Sequence, residues 1–188
     1  MKEGVAPDDL TVSNASSGLY TNFLTIPTIA GPAPDRRGWT SVDVTANRRS
    51  FRLITTHLDS AVPGIRVAQA GELVSGPAAT TLPVILVGDL NSGPINDPAP
   101  SAYAYLIGAG FVDTWTQANR RDLGLTCCHA KNLLNPMPVF TTRIDHVLAR
   151  PRVKAIHARL VGADAASRTP SGLWPSDHAG VVATFLAP

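Results

Sequence analysis

The stretch VILVGDLNSGP, from Val84 to Pro94, runs from an apolar segment directly into a group of polar residues. The apolar run VILV, closed by Gly88, predicts a short strand that is covered on both faces of a sheet. Asp89 and Asn91 follow at once, although a carboxylate is costly to bury unless it is paired. The pattern therefore predicts that this strand carries Asp89 to the rim of the sheet, where functional groups usually lie.

The composition indicates one globular domain over residues 1–188. Hydrophobic residues make up 44% of the chain and charged residues 16%, which is usual for such a domain. No apolar run reaches the roughly 18 residues that span a bilayer, and MKEGVAPDDL lacks the apolar core of a signal peptide. The net charge of +2 is too small to indicate nucleic-acid binding by itself, and nothing in the sequence predicts a compartment.

Hydrophobic periodicity predicts a mixed α and β fold around a largely buried sheet. Residues 1–38 are rich in Gly, Pro, Ser and Asn, and we expect them to be loop with at most one strand, so that 1–35 form a loop-rich lead to 36–188. Strands are expected at Thr40–Ala46, Phe51–Leu58, Pro83–Leu90, Phe111–Trp115, Arg143–Ala149, Val153–Gly162 and after His178, and helices at Gly64–Gly76 and Ser101–Gly110.

Polar and titratable residues lie at the ends of four of these strands, in the segments THLD, GDLN, RID and SDH. Loops at the rim of a rigid sheet carry function more often than other segments do. The candidate site residues are His57, Asp89, Asn91, Asp145, Asp177 and His178.

These three carboxylates, two imidazoles and one amide suit the hydrolysis of a phosphoester with a hard divalent cation. Mg²⁺ takes oxygen ligands, usually one or two carboxylates with water and phosphate oxygens, and a histidine held by a carboxylate can activate water or protonate a leaving oxygen. Each residue alone also has a structural explanation. Asp145 can pair with Arg143, Asn91 can form a turn, and Asp89 or Ser176 can cap a loop or an element. The hypothesis rests on the combination.

The order of TTHLDS, VILVGDLNS, RIDHVLA and SDHAGVVATF resembles the endonuclease/exonuclease/phosphatase superfamily of DNase I-like nucleases, sphingomyelinases and inositol phosphatases. Arg37-Gly38 before the hairpin and the helix start from Arg66 to Ala70 fit the same family. The resemblance covers roughly residues 36–186. It implies an α+β fold, the DNase I-like two-sheet α/β sandwich flanked by helices, here shortened at the N-terminus, and Mg²⁺-dependent hydrolysis of phosphoester bonds.

The resemblance also implies roles for the residues at the strand ends. Asp89 would orient or deprotonate the attacking water, and Asn91 would hold a phosphate oxygen. His178 would contact the scissile phosphate, with its tautomer fixed by Asp145. His57 would bind phosphate or protonate the leaving group.

The implied cofactor is Mg²⁺ or Mn²⁺, with Asp177 and Asp89 as the candidate metal ligands. In this family the main metal ligand is a glutamate near the N-terminus, accompanied by an earlier asparagine. The one early glutamate here, Glu3 in KEGV, has no apolar strand before it and does not match. Because fewer carboxylates would then hold the cation, we expect a lowered affinity for Mg²⁺.

Two functions stay open from the sequence. The first is a phosphoesterase that hydrolyses a phosphodiester or phosphomonoester by in-line attack of water. The second is a catalytically incomplete member that serves as a phosphate-binding module or as half of an assembled enzyme. Since the resemblance is to the C-terminal portion of the fold, one sheet face is expected to lack its partner, which favours a homo-oligomer or contact with another segment. Nucleic acid, phospholipid and small phosphoesters all remain open as substrates.

Cys127 and Cys128, in LTCCHA, are the only cysteines of the chain. Their adjacency is compatible with a vicinal disulfide or with two packed thiols. A zinc hydrolase that combines them with His129, His146 or His157 has little support, because paired cysteines in structural zinc sites are separated by two or more residues.

Overall fold

A computed structural model describes residues 10–151 and 153–186 and has a six-stranded sheet at its centre. The strands are β1 (Leu10–Leu19), β2 (Leu24–Thr28), β3 (Gly31–Asp35), β4 (Gly38–Ala46), β5 (Arg49–His57), β6 (Val84–Asp89), β7 (Val112–Asp113), β8 (Asp145–Arg150), β9 (Lys154–Val161) and β10 (Gly180–Leu186). The helices are α1 (Pro63–Ser75), α2 (Ala102–Gly108) and α3 (Thr114–Ala118), with a 3-10 turn at Ala165–Ser167. The central sheet has the order β1-β4-β5-β6-β8-β7. The expected mixed α/β class is confirmed.

The hairpin of β4 and β5 forms where the sequence predicts it. Asn47 and Arg48 take positive φ angles of 51° and 63°, as a two-residue turn between twisted antiparallel strands requires. The register that follows pairs Ala46 with Arg49 and Trp39 with Thr56. The turn therefore fixes which residues of β4 lie beside the end of β5.

The buried strand of the opening stretch is β6, which lies parallel to β5 and antiparallel to β8. Val84 and Leu86 are each 1% exposed, whereas Ile85 and Val87 are half-buried. The first face packs against the helices in a core that includes Ile54, Ala70, Leu73, Leu106, Phe111 and Leu148. The prediction of a strand covered on both faces therefore holds fully for the face that packs on the helices and in part for the other.

The second face of the central sheet is partly covered by β9 and β10, which pair with each other in an antiparallel two-stranded sheet. Phe51 and Ile85 of the central sheet line a cavity of about 170 Å³ together with Val153 and Phe185. Toward β1 apolar side chains remain exposed, including Leu10, Val12 and Leu19 at 50% to 62%. No helix among the described residues is long and apolar enough to cross a membrane.

Residues 10–35 differ from the expected loop, because they form three strands. β1 pairs along its length with β4 at the edge of the central sheet, with a register shift between Ser13 and Ser16, and β2 and β3 form a separate hairpin. Nearly every residue of β1 is exposed, so its sequence carries no alternation of buried and exposed side chains. Backbone pairing with β4, joined by a hydrogen bond from Asn14 Nδ2 to Asp43 Oδ2 at 2.9 Å, holds this strand, and composition does not reveal it.

Both predicted helices are present and begin at the expected signals. Pro63 stands in the first turn of α1, where its missing N–H is not needed. The Ser101 hydroxyl accepts a hydrogen bond from the Ala104 N–H at 3.0 Å and caps α2. The expected strand at FVDTW is only two residues long, because Asp113 caps α3 by accepting from the Trp115 N–H at 3.0 Å.

At Gly88 in β6, any residue with a Cβ atom would have to displace the neighbouring backbone of β5. Its φ is +146°, and a Cβ there would lie 1.9 Å from the Thr56 carbonyl oxygen. We expect Gly88→Ala to lower the free energy of unfolding by more than about 2 kcal/mol through overpacking and backbone strain. Gly64→Ala, in open space within α1, should be neutral or stabilising by about 1 kcal/mol. Urea denaturation of both variants checks this, and equal effects would contradict it.

His146 is a buried histidine that gives the fold a pH dependence. It is 3% exposed, it donates from Nε2 to the Ser92 carbonyl oxygen at 3.0 Å, and burial lowers its pKa from 6.5 to about 4. Between these two pH values the unfolded chain binds a proton that the folded chain does not bind. Stability therefore falls as the pH falls through this window.

We expect this residue to cost the protein about 2 kcal/mol of unfolding free energy between pH 7 and pH 5. His146→Gln keeps an N–H donor but does not titrate, so its loss over the same interval should be smaller by that amount. Urea denaturation at both pH values measures the difference. The same pH dependence in the variant and in the parent would show that His146 is not the group responsible.

Candidate active site

Strand register places three of the predicted residues side by side at one rim of the central sheet. His57, the last residue of β5, is paired with Asp89, the last residue of β6. Asp89 is in turn paired with Asp145, the first residue of the antiparallel strand β8. Because paired residues on neighbouring strands lie about 5 Å apart, the three side chains form a continuous row.

The two carboxylate oxygens of Asp89 have different partners: one contacts the loop that follows β6, and the other faces the row. Oδ1 accepts a hydrogen bond from the Asn91 N–H at 2.8 Å, and Oδ2 lies 3.3 Å from His57 Nε2. Asn91 takes a left-handed φ of 47°, which asparagine tolerates, and its Nδ2 donates to the Leu58 carbonyl oxygen at 3.0 Å. The structural explanation of Asp89 and Asn91 as turn residues is therefore correct, and it leaves the second oxygen of Asp89 facing the row.

His178 completes the group from the segment that leads into β10. Its Nδ1 lies 2.8 Å from Asp145 Oδ2. The alternative partner of Asp145, Arg143, instead donates to Asp113 Oδ2 at 2.7 Å. Asp145 is therefore free of the salt bridge that the sequence left open, and it orients an imidazole.

The electrostatics of the row favour a basic carboxylate and a protonated imidazole. Burial is the largest influence on the Asp89 pKa and raises it, and the charge of Asp145 adds to this effect against the opposing Asn91 N–H and the two imidazoles. The hydrogen bond to Asp145 raises the pKa of His178. Asp89 consequently accepts a proton more readily than an aspartate in water does.

Three of these side chains are close enough together to hold a divalent cation. Ligand atoms of Asp89, Asp145 and His178 all lie within 4.8 Å of one another. Two carboxylates are a donor set suited to Mg²⁺, and the added imidazole also suits Mn²⁺. Asp177, expected close to the metal, is exposed and lies outside this group, with its Oδ1 3.4 Å from the Ser176 hydroxyl.

Arg37 also belongs to the rim, where its guanidinium lies beside His57. Its Nη1 lies 3.1 and 3.2 Å from the two ring nitrogens of His57, and its Nη2 donates to Asp35 Oδ2 at 3.4 Å. The register of the β4–β5 hairpin, which can be read from the sequence, predicts the position of Arg37. Counting outward from the two-residue turn places Gly38, and therefore Arg37, next to the end of β5.

The adjacent cysteines also lie beside the row, which no sequence signal indicated. The backbone of Cys127 forms isolated antiparallel β-bridges with Thr142 and with His178. Cys128 Sγ is 3.7 Å from His178 Nε2. The sulfur atoms of the two cysteines are in direct contact, as in a vicinal disulfide. The histidines weighed for a zinc hydrolase lie in other surroundings: His129 is stacked against Phe140 and Trp174, His146 is buried, and His157 is in β9.

Solved structures with the same fold include a protein in complex with DNA and a phosphatase. TDP2 of D. rerio, solved with a single-stranded DNA product, is 21% identical with a TM-score of 0.66, over 95% of this chain and 69% of that one. Mannosyl-6-phosphatase Bt3783 of Bacteroides thetaiotaomicron is 20% identical with a TM-score of 0.68, over 96% of this chain and 68% of that one.

An endonuclease/exonuclease/phosphatase from Bacteroides vulgatus reaches a TM-score of 0.69 at 15% identity, over 97% of this chain and 68% of its own. No curated protein sequence matches the chain. The model of the Endonuclease/Exonuclease/phosphatase family matches residues 16–178, which include every rim residue described above. The chain therefore belongs to the endonuclease/exonuclease/phosphatase family.

Proposed function

We propose that the protein is a divalent-metal-dependent phosphoesterase that hydrolyses its substrate by in-line attack of water. The observation that carries this proposal is the row of His57, Asp89 and Asp145, completed by His178 at 2.8 Å from Asp145. Family membership supports phosphoester hydrolysis in general. The metal requirement and the residue roles are our own assignments.

Asp89 is the residue placed to act on the attacking water. One of its oxygens is held by the loop, and the other faces the row 3.3 Å from His57. A carboxylate whose pKa burial has raised is a stronger general base than a solvated one. Asp89 orients the water and takes its proton as the oxygen attacks phosphorus.

The two imidazoles serve the phosphate and the leaving group. Asp145 accepts the Nδ1–H of His178, which leaves Nε2 to face a phosphate oxygen, and the raised pKa of His178 favours the donor form. His57 is 52% exposed at the mouth of the site, where it can protonate the departing oxygen. The second N–H of the Asn91 amide, beyond the one given to Leu58, is a further donor for phosphate.

Asp89 and Asp145, which have ligand atoms within 4.8 Å of each other, are the residues that would hold Mg²⁺ or Mn²⁺, while His178 Nε2 serves the phosphate. When bound there, the cation would supply positive charge against the negative charge that develops on the phosphoryl oxygens. Asp177 stays a candidate ligand through its position beside His178, although its carboxylate is exposed.

The substrate class we propose is a phosphoester, since TDP2 was solved with a single-stranded DNA product and Bt3783 is named a mannosyl-6-phosphatase. An open cavity of about 650 Å³ lies beside His57 and is lined also by Leu19, Trp39 and Thr55. This volume is sufficient for a sugar or a nucleotide attached to the phosphate. The proposed substrate class therefore includes nucleic acid, phospholipid and small phosphoesters.

The first test is hydrolysis of bis-p-nitrophenyl phosphate in the presence of Mg²⁺ or Mn²⁺. We expect turnover that EDTA abolishes and that Asp89→Asn lowers by about 100-fold or more, because the general base is lost. Asp164→Asn is the matched control, since Asp164 is exposed and its side chain caps nothing. It should retain full activity.

Turnover that resists EDTA, or that survives Asp89→Asn, would overturn the proposed mechanism. A folded protein that shows no turnover but binds inorganic phosphate would instead support the second function, a phosphate-binding member of the family. Circular dichroism of each variant separates loss of activity from loss of fold.

A second test concerns Arg37, whose guanidinium lies beside His57 and offers a fixed positive charge to a phosphate. We expect Arg37→Gln to raise KM for the diester about ten-fold with a smaller change in kcat, because it removes a charged hydrogen bond to bound substrate. Arg36→Gln is the control, since Arg36 is exposed and its guanidinium lies over the Phe23 ring at 4.5 Å. Equal effects of the two substitutions would refute this role.

A further inference from the structure

The Cys127–Cys128 pair and His178 form a second group of ligand atoms next to the row. One atom from each residue lies within 4.8 Å of the others. The contact is built by the fold, because Cys127 is bridged to His178 through the backbone and the His129 N–H donates to the Asp177 carbonyl oxygen at 2.8 Å. The sulfur atoms therefore keep a fixed place beside the imidazole.

The imidazole of His178 is oriented for a ligand on the sulfur side. Its Nδ1 is engaged by Asp145 at 2.8 Å, and its Nε2 lies 3.7 Å from Cys128 Sγ. A carboxylate that holds one ring nitrogen while the other faces a metal is the usual arrangement of metal-binding histidines. Two ligands of one tetrahedral Zn²⁺, at about 2.3 Å for sulfur and about 2.0 Å for nitrogen, lie about 3.5 Å apart. The Nε2 to Sγ distance is close to this separation.

We propose that the reduced Cys127–Cys128 pair binds a thiophilic divalent cation, such as Zn²⁺ or Cd²⁺, with His178 Nε2 as the third ligand. This is an open site of three protein ligands, unlike the closed structural zinc sites in which paired cysteines are separated by two or more residues. Thiolates are soft ligands that prefer these cations to Mg²⁺. The sulfur atoms, in contact in the structure, are first separated by a reductant. With a phosphine, the S–S bond breaks, water supplies the oxygen of the phosphine oxide and two hydrogens, and two thiols form. Both thiols release their protons as the cation binds.

This site shares His178 with the group of Asp89, Asp145 and His178. A cation held between sulfur and Nε2 occupies the nitrogen that we assign to the scissile phosphate. Occupancy should therefore inhibit hydrolysis, a consequence that rests on the proposed function. Cation binding itself does not depend on hydrolysis, so the two can be tested apart.

The test uses the full chain, reduced with a phosphine and desalted without oxygen. Thiol titration should count two thiols, and Cd²⁺ should then produce the ultraviolet charge-transfer absorption of a cadmium thiolate at one cation per chain. Because the chain has only two cysteines, the signal reports this pair alone. His178→Gln should weaken Cd²⁺ binding about ten-fold or more, Cys128→Ser should abolish the one-to-one signal, and Asp89→Asn should leave it unchanged.

The unfolded protein in urea is the reference for binding by an adjacent cysteine pair without the fold. Equal affinity of the folded and unfolded chains, or of the parent and His178→Gln, would overturn the site, as would fewer than two thiols after reduction. The absorption reports binding whether or not the chain turns over the diester. A protein that binds Cd²⁺ as expected but does not hydrolyse the diester would refute the proposed function and support this site.

Discussion

The pairing of β5, β6 and β8 in a single register is the constraint on which the whole site depends. The register makes His57, Asp89 and Asp145 neighbours across three strands. Close approach of β5 and β6 permits it, since the Gly88 Cα faces the Thr56 carbonyl oxygen where a Cβ would collide. A slip of one residue would turn Asp89 to the other face of the sheet. Backbone geometry therefore decides the position of the Asp89 carboxylate.

Each carboxylate of the row lies beside an imidazole, and these imidazoles reduce the electrostatic repulsion between the two carboxylates. Burial and the charge of Asp145 both raise the pKa of Asp89. His57 lies beside Asp89, and His178 is bonded to Asp145. Positive charge from imidazolium, Arg37 or a cation offsets the repulsion while leaving Asp89 more basic than a solvated carboxylate. A buried pair of like charges without such partners would be destabilising.

The sequence predicted those parts of the structure in which local signals and burial agree. The hairpin, α1, α2 and β6 all carry periodicity with a turn, cap or breaker at their ends, and all were found. β1 was missed because an exposed edge strand has no buried face to record in its sequence. The rim residues were found because they end strands, whereas Cys128 reaches His178 only through the folding of the segment after α3. Arg37 is a third case, since counting along the hairpin register locates it beside the end of β5.

His178 lies between the carboxylate oxygens of Asp89 and Asp145 on one side and the sulfur atoms of Cys127 and Cys128 on the other. Its hydrogen bond to Asp145 leaves Nε2 as the one ring nitrogen that can bind a ligand. With Nδ1 engaged by the carboxylate, only Nε2 can serve a phosphate, a metal ion or a sulfur-bound cation, and it cannot serve two of them at once. Oxygen ligands on one side favour hard cations, and sulfur on the other side favours soft ones only when it is reduced. The redox state of one cysteine pair thus determines which ligands compete for a single ring nitrogen. This coupling follows from the placement of Cys128 and needs no movement of the sheet.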